Sequence, residues 1–289
     1  MTAVGGDFMG RRSRARQMGV SSLSLADVHT RYFADRNAVP PPEVRKALAL
    51  DARAGARRLA EMAERRMARR QELRRHARRL LRHEQPLWDR GLARVAGVDE
   101  AGVGPLAGPV VAAAVVLPPG TWLEGLDDSK KLSPAERLRL FGTIRDLALG
   151  WGIGVSDARE VDRINVYQAG LEAMSRAVKA LPLEPEHLLV DARRVPGFTG
   201  PQEPLVRGDS RSASIAAASV MAKVTRDGMM EEYDRVYPGY GFARHKGYGT
   251  AEHRGTLRRL GRCPIHRKSF ILKEMSDSQA TLFNSPSGS

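Results

Sequence analysis

The run at residues 110–117, VVAAAVVL, restricts the fold of this chain more than any other segment. Eight consecutive apolar residues, small or β-branched for the most part, form a strand too continuously apolar to leave one face in water. A strand of that kind sits inside a sheet covered on both sides. The surrounding pattern supplies the covering helices. Residues 94–99 read as a strand, 134–147 as a helix, 151–155 as a strand, 188–190 as a short strand and 212–233 as a long helix. Ser133 and Glu136 have the spacing of a capping box for the first of these helices, and Asn165 is placed to cap another that runs to residue 181. The expected class is α/β.

Ahead of this domain the texture is different. Residues 1–20 are rich in Gly, Arg and Ser without periodicity and are expected to be disordered. Pro40, Pro41 and Pro42 interrupt any helix and act as a stiff spacer. From residue 43 to 83 there is a single Gly and no Pro among strong helix formers, which predicts one long helical stretch. Leu73, Ala77, Leu80 and Leu81 share a face of it, and arginines cover much of the rest. The expected division is a basic N-terminus (1–20), a basic helical extension (21–88), an α/β domain (89–273) and a disordered Ser-rich tail (274–289).

The formal net charge is +14, and residues 1–90 hold 21 Lys and Arg against 10 Asp and Glu, an excess of 11. That asymmetry favours a polyanionic partner, nucleic acid ahead of an acidic membrane surface. No stretch approaches the roughly 18 uninterrupted apolar residues a spanning helix requires. The arginines near the N-terminus are not followed by the apolar core of a secretion signal. Cys263 is the single cysteine, which suits a reducing compartment and reads as a small buried hydrophobe. A cytoplasmic monomer without membrane contact is expected.

The chemistry concentrates around residues 97–109, GVDEAGVGPLAGP. A strand delivers two adjacent carboxylates, Asp99 and Glu100, into a glycine-rich turn. Gly102, Gly104 and Ala107 superficially match a dinucleotide fingerprint, but that motif must open a helix, whereas here Pro109 leads into an apolar strand. What the glycines allow is close approach of the backbone to a ligand such as a sugar-phosphate chain. Two more acids follow predicted short strands: Asp191 after Leu188, Leu189 and Val190, and Asp209 after Val206, Arg207 and Gly208. Four carboxylates can neutralise two divalent cations, and oxygen-only ligands favour Mg2+ or Mn2+ over zinc. Such a pair can activate water and stabilise the leaving oxygen of a phosphodiester.

Five blocks in order, VAGVDEAGVGPLAGPVVAAAVVLP, DSKKLSPAER, LLVDA, GDSRSASIAAASVMAKVTRD and HKGYGTAEHRGTLRRLGRCPIHRKSF, resemble the successive signatures of bacterial ribonuclease HII across residues 95–270. The helical N-terminal extension also resembles that of some members. The resemblance implies a ribonuclease H-like fold, a central mixed sheet flanked by helices, with a small C-terminal helical portion. It implies metal-binding and catalytic roles for Asp99, Glu100, Asp191 and Asp209. The implied activity is hydrolysis of the RNA strand of RNA–DNA hybrids, and of ribonucleotides embedded in duplex DNA, by two metals that leave 3′-hydroxyl and 5′-phosphate ends. Substrate contacts are implied for Gly102, Val103 and Gly104, for Lys130 at a phosphate, and for Tyr248 against the sugar at the RNA–DNA junction.

One departure stands out. The family usually has arginine between the two glycines, where this chain has Val103. Main-chain recognition of the ribose survives that change, an arginine contact does not, and Arg94, Arg193 and Arg207 are candidates to supply the missing cation. The related ribonuclease HIII family carries a small uncharged residue there, so a hybrid nuclease of that kind is the competing enzyme reading. Cutting of a single embedded ribonucleotide tells the two apart. A non-catalytic nucleic-acid-binding protein is a third reading, disfavoured because unmetallated carboxylates would repel phosphate. Ser214, Ala216, Ala217, Ala218 and Ser219 carry small side chains for close packing on the sheet, while Lys223 and Arg226 are expected to approach the substrate. His245, His253 and His266 lack tight ligand spacing and are expected to be solvated or to face phosphate.

Overall fold

The structure, a computed structural model, describes residues 23–35 and 38–270. The segments expected to be disordered, 1–20 and 274–289, lie outside them. Two compact units are present, divided between His76 and Ala77.

In the first unit, α1 (Leu25–Tyr32), α2 (Pro42–Leu50) and α3 (Ala54–Leu80, which continues past the division) are helical. Val28, Phe33, Val44, Leu48, Ala56, Leu59 and Ala63 form its core. The single long helix expected from residue 43 is broken at 51–53. Asp51 Oδ1 accepts the Arg53 backbone N–H at 2.9 Å, and the Arg53 guanidinium forks onto the same carboxylate. A short acidic side chain that captures a nearby N–H offers the backbone an alternative to helix, an effect that propensity alone does not register. The triple proline both interrupts and initiates: Pro42 occupies the first turn of α2, where its missing N–H is not needed.

The second unit opens with α4 (Gln85–Asp89) and then alternates β1 (Val95–Ala101), β2 (Val110–Val116), α5 (Pro134–Leu147), β3 (Gly150–Ser156), α6 (Ala158–Lys179), β4 (His187–Asp191), β5 (Gln202–Leu205), α7 (Ala213–Val236), α8 (Phe242–His245) and α9 (Ala251–Leu260). The strands form one mixed sheet of order β3-β2-β1-β4-β5. β1, β2 and β3 are antiparallel neighbours, and β1, β4 and β5 are parallel.

β2 shows why its sequence is uniformly apolar. Ala113 and Val115 point into a cluster with Leu140, Ile144 and the small residues of α7, whereas Ala112, Ala114 and Val116 point into another with Val161, Ala173 and Ala177 of α6. Both faces of the strand are dry. The close seat of α7 on β1 depends on Gly97, where a Cβ would overlap the backbone of Ser214. Ser214, Ala216, Ala217, Ala218 and Ser219 are buried there, as expected.

The capping box of Ser133 and Glu136 forms as predicted. The helix expected to begin at Asn165 starts earlier, capped by Asp157, and Asn165 instead marks a kink at φ 66° while its Oδ1 accepts the Gln168 N–H at 3.0 Å. It therefore caps the second half of α6. Arg207 adopts a left-handed conformation, so the predicted strand before Asp209 does not form; the strand is β5, and Asp209 lies in a 3-10 turn, Gly208–Ser210. Pro204, which cannot donate to a ladder, lies on this strand at the sheet edge.

Candidate active site

Parallel pairing of β1 with β4 brings Val98 opposite Val190, so Asp99 and Asp191 leave neighbouring strands side by side at their carboxyl ends. Glu100 is the next residue on β1. Asp209 is drawn in because the Gly208 N–H donates to Asp191 Oδ1 at 2.7 Å, which ties the 3-10 turn to the end of β4. All four expected carboxylates thus meet at the carboxyl ends of β1 and β4, in the middle of the sheet.

Burial sets their electrostatics. Asp99 is only 4% exposed, and desolvation, reinforced by the charges of Glu100 and Asp191, pushes its carboxyl well above the usual range. Desolvation also raises Glu100, against the opposing pull of Arg193, and raises Asp209, with Asp128 adding repulsion and Lys130 opposing it. Lys130 Nζ lies 3.4 Å from Asp209 Oδ2, and Arg193 Nη2 lies 3.2 Å from Glu100 Oε1. Burial alone would lower the Lys130 ammonium, but Asp209, Asp128 and Asp99 together outweigh it and hold it above its ordinary value. The Lys130 loop is anchored to α7 by a buried 2.8 Å hydrogen bond between the hydroxyls of Ser129 and Ser219.

No three His, Cys, Asp or Glu side chains form a ready-made metal cage among the described residues. The acids are turned instead to Lys130, Arg193 and the Gly208 amide. The donor set is nevertheless all oxygen, and Glu100 Oε2 is buried without a hydrogen-bond partner. Repelling, desolvated carboxylates with an unused oxygen fit a hard divalent cation.

Beside the acids runs the glycine-rich turn. Gly102 has φ +93°, and a Cβ there would overlap the Arg226 side chain. A Cβ at Gly104 would come 3.9 Å from Tyr248 Cε1, so the turn and the tyrosine face each other. Tyr248 is 45% exposed, in keeping with a surface role rather than a core one. Val103 is partly buried and packs on the apolar cluster beneath the sheet. Of the three arginines considered as replacements for the missing cation, Arg193 reaches the site through Glu100, and Arg94 is turned to Glu186 at the opposite end of β1.

Two arginines hold this turn from within, and only one had been singled out. Arg226 was expected to approach the substrate; it is instead 1% exposed and donates to the carbonyls of Pro109, Ala107 and Lys246. Arg267, equally buried, donates to those of Gly102, Val103, Pro105 and Gly108. Burial, with repulsion from Arg226, lowers Arg267 to about 9. A turn without regular secondary structure leaves its carbonyls unpaired, and the two planar forks satisfy them. Position in the HRKSF block was the only sign of Arg267 in the sequence. Lys223 is paired with Asp227 at 2.7 Å.

The histidine expectation is also corrected. His245, His253 and His266 are buried against one another, with ring centroids 4.3 Å apart for the first pair and 5.2 Å for the second, because Phe242 and Tyr240 complete an apolar cluster around them.

A model of the family described as ribonuclease HII matches residues 96–273. The chain belongs to the ribonuclease HII family. Similar members are the ribonuclease HII of Anaeromyxobacter sp. (strain Fw109-5), 51% identical over 88% of this chain and 81% of that protein, and that of Myxococcus xanthus, 50% identical over 86% and 84%. Among solved structures, ribonuclease H2 from Pyrococcus horikoshii shares the fold at TM-score 0.55 and 24% identity, over 66% of this chain and 99% of that one. The PCNA:RNase HII complex from Archaeoglobus fulgidus gives TM-score 0.51 at 26% identity, over 62% and 96%. The mixed sheet with flanking helices is the ribonuclease H-like fold, and membership of the family makes this protein a hydrolase, an endoribonuclease of the ribonuclease H type that acts on RNA–DNA hybrids. No helix among the described residues is long and apolar enough to cross a membrane.

Proposed function

We propose that this protein cuts both continuous RNA strands paired with DNA and single ribonucleotides embedded in duplex DNA, leaving 3′-hydroxyl and 5′-phosphate ends. The observation that carries the reading is the meeting of Asp99, Glu100, Asp191 and Asp209 at the carboxyl ends of parallel strands, next to a side-chain-free turn. These four carboxylates would hold Mg2+ or Mn2+. Two such ions, when bound, supply activation of a water molecule and relief of charge on the departing 3′-oxygen.

The chain's own groups do the rest. Lys130, whose side chain is 78% exposed, would offer a cation to the substrate phosphate, and Asp209, 3.4 Å from it, would be among the metal-holding acids. The backbone of Gly102, Val103 and Gly104 approaches the ribose, where main-chain groups can read the 2′-hydroxyl that distinguishes RNA from DNA. Tyr248 lays its ring against the sugar at the junction. The basic helix α3 adds affinity for the duplex without reading its sequence.

The test is incubation of the purified full chain with duplex DNA containing one ribonucleotide, and with a continuous RNA–DNA hybrid, in Mg2+, in Mn2+ and in excess chelator. Nicking that requires metal is expected on both substrates. Undiminished cutting in chelator would remove the metal reading, and cutting of the hybrid alone would favour a preference of the ribonuclease HIII kind.

A further inference from the structure

The three buried histidines lie directly behind Tyr248, and the hydrogen bonds around them admit one set of tautomers. Tyr248 O is an acceptor only and lies 2.9 Å from His253 Nδ1, so that nitrogen carries the proton. A neutral imidazole has one N–H, which leaves His253 Nε2 as an acceptor. It faces His266 Nε2 at 3.0 Å, and His266 must therefore be the donor there. His266 Nδ1 is then an acceptor, for the Cys263 backbone N–H at 2.9 Å and the Cys263 thiol at 3.1 Å, and the Cys263 carbonyl at 3.2 Å, which would need a proton on Nδ1, gives way to the bond with His253. At His245 the Gly247 N–H donates to Nδ1 at 3.2 Å, leaving Nε2–H for the Tyr240 carbonyl at 2.9 Å. Every ring nitrogen is used.

We propose that His253 and His266 are positioning residues for Tyr248: a one-way chain of hydrogen bonds from the Cys263 amide through His266 and His253 to the Tyr248 carbonyl fixes the tyrosine opposite Gly104. The chain touches both halves of the substrate surface. The backbone on either side of His266 pairs with the glycine-rich turn, since Gly108 N donates to Ile265 O and Arg267 N to Leu106 O, each at 2.9 Å. At the other end Leu106 N donates to Gly247 O at 2.9 Å. The inference rests on the reading that Tyr248 meets the sugar.

Neutral rings are a requirement of the arrangement, because a proton added to His253 would set two donors against each other across the 3.0 Å contact. Burial lowers His253 and takes His266 to about 4, with His245, His253 and Arg262 adding repulsion at His266 and His245 doing so at His253. Glu252 and the Tyr248 carbonyl act in the opposite sense on His253, as does the Cys263 backbone on His266. The remaining neighbours are the aromatics Tyr240 and Phe242 and the Cys263 thiol, whose Sγ lies 3.1 Å from His266 Nδ1 and which burial raises, favouring its neutral form.

Nitrogen-15 NMR of the histidine rings in the full chain at neutral pH tests the chain of bonds directly, with His253 expected as the Nδ1–H tautomer and His266 and His245 as Nε2–H. Kinetics on an RNA–DNA hybrid test its role. His266→Phe keeps the ring volume and loses the donor; His266→Gln keeps an amide donor. If the histidines position Tyr248, His266→Phe raises KM about three- to tenfold, the worth of one or two hydrogen bonds, at nearly unchanged kcat, and His266→Gln stays closer to the parent protein. If they only fill space, the order of the two variants reverses. Tyr248→Ala separates the two layers of the argument: no change in KM there would remove the role of Tyr248 at the sugar, whereas a raised KM there together with a silent His266→Phe, or an Nε2–H tautomer at His253, would overturn the positioning chain itself.

Discussion

The carboxylate cluster and the histidine cluster are both buried, titratable and part of the same unit, yet burial drives them in opposite directions. Asp99, Glu100 and Asp209 are pushed up, and His253 and His266 are pushed down. In each case the charged form is what desolvation opposes. In the proposed function the acids would have to be charged to hold a cation, which is the form that burial opposes. The histidines need only direction, and as neutral rings they have it without opposing burial. Arg226 and Arg267 form a third solution, permanent charges satisfied by carbonyl oxygens. Charge is buried where chemistry or a fork of donors requires it, and neutral donors are used where orientation alone is needed.

The two clusters therefore bend stability with pH in opposite senses. A raised carboxyl favours the fold below its ordinary value of 3.8 and loses that advantage as pH rises through its folded value, so without metal the acid site weakens the fold toward neutrality. A lowered histidine does the reverse: its contribution is present above 6.5 and is lost as pH falls toward about 4. The largest expected effect is at the acids. On the proposed reading, Asp99→Asn should reduce turnover by more than the roughly 10- to 100-fold that the loss of an outer-shell partner causes, because it would remove a direct ligand at nearly constant shape. In chelator the same variant should melt no lower than the parent at pH 7, with a flatter pH dependence. Near-parental turnover would break the comparison at its root.

Next in size is the arginine cradle. Arg267→Ala leaves several buried carbonyls without donors and should lower unfolding free energy by about 3 kcal/mol or more in urea titrations, with Arg267→Lys recovering only part. An unchanged midpoint would mean that the turn holds its shape unaided. Val103→Arg is expected to shift the ratio of single-ribonucleotide to hybrid cutting by about 10- to 100-fold, the worth of one charged hydrogen bond, with catalysis retained. Equal ratios in both proteins would show that Arg193 already serves that purpose.

The smallest effect concerns α3. Deleting residues 1–76 should weaken duplex binding and flatten its salt dependence, while the rate at saturating substrate persists. An unchanged salt slope would make the arginines a solvated surface. Deletion through residue 88 should unfold the remainder as well, because it also takes Leu80, Leu87 and Trp88 from the core. With them goes Glu84, whose buried carboxylate accepts the Ser212 hydroxyl at 2.6 Å and the Ser214 N–H at 2.9 Å at the start of α7.

Strands, helices and acids were legible in this sequence where a local rule sufficed. The continuous run of β2 required burial on both faces, the spacing of Ser133 and Glu136 required a cap, and acids at strand ends stood out as a set. The break at Asp51 and the turn at Asp209 were misread because a side chain or a left-handed residue overrode the pattern around it, whereas Asn165 caps as expected and only the helical turns before it were missed. The histidines were misplaced for a different reason: their spacing says nothing about an apolar cluster built from distant segments.

The sequence by itself determined a buried sheet strand, an acid-rich strand end entering a glycine turn, a basic helical extension and membership of a nuclease family, because each is written in neighbouring residues. Only the tertiary structure decided that Arg267 reaches back across more than a hundred and fifty residues to hold Gly102 and Gly108, and that His266 meets His253 nose to nose behind Tyr248. Buried polar groups take whatever partner the packed fold brings within reach, and that choice is made in three dimensions.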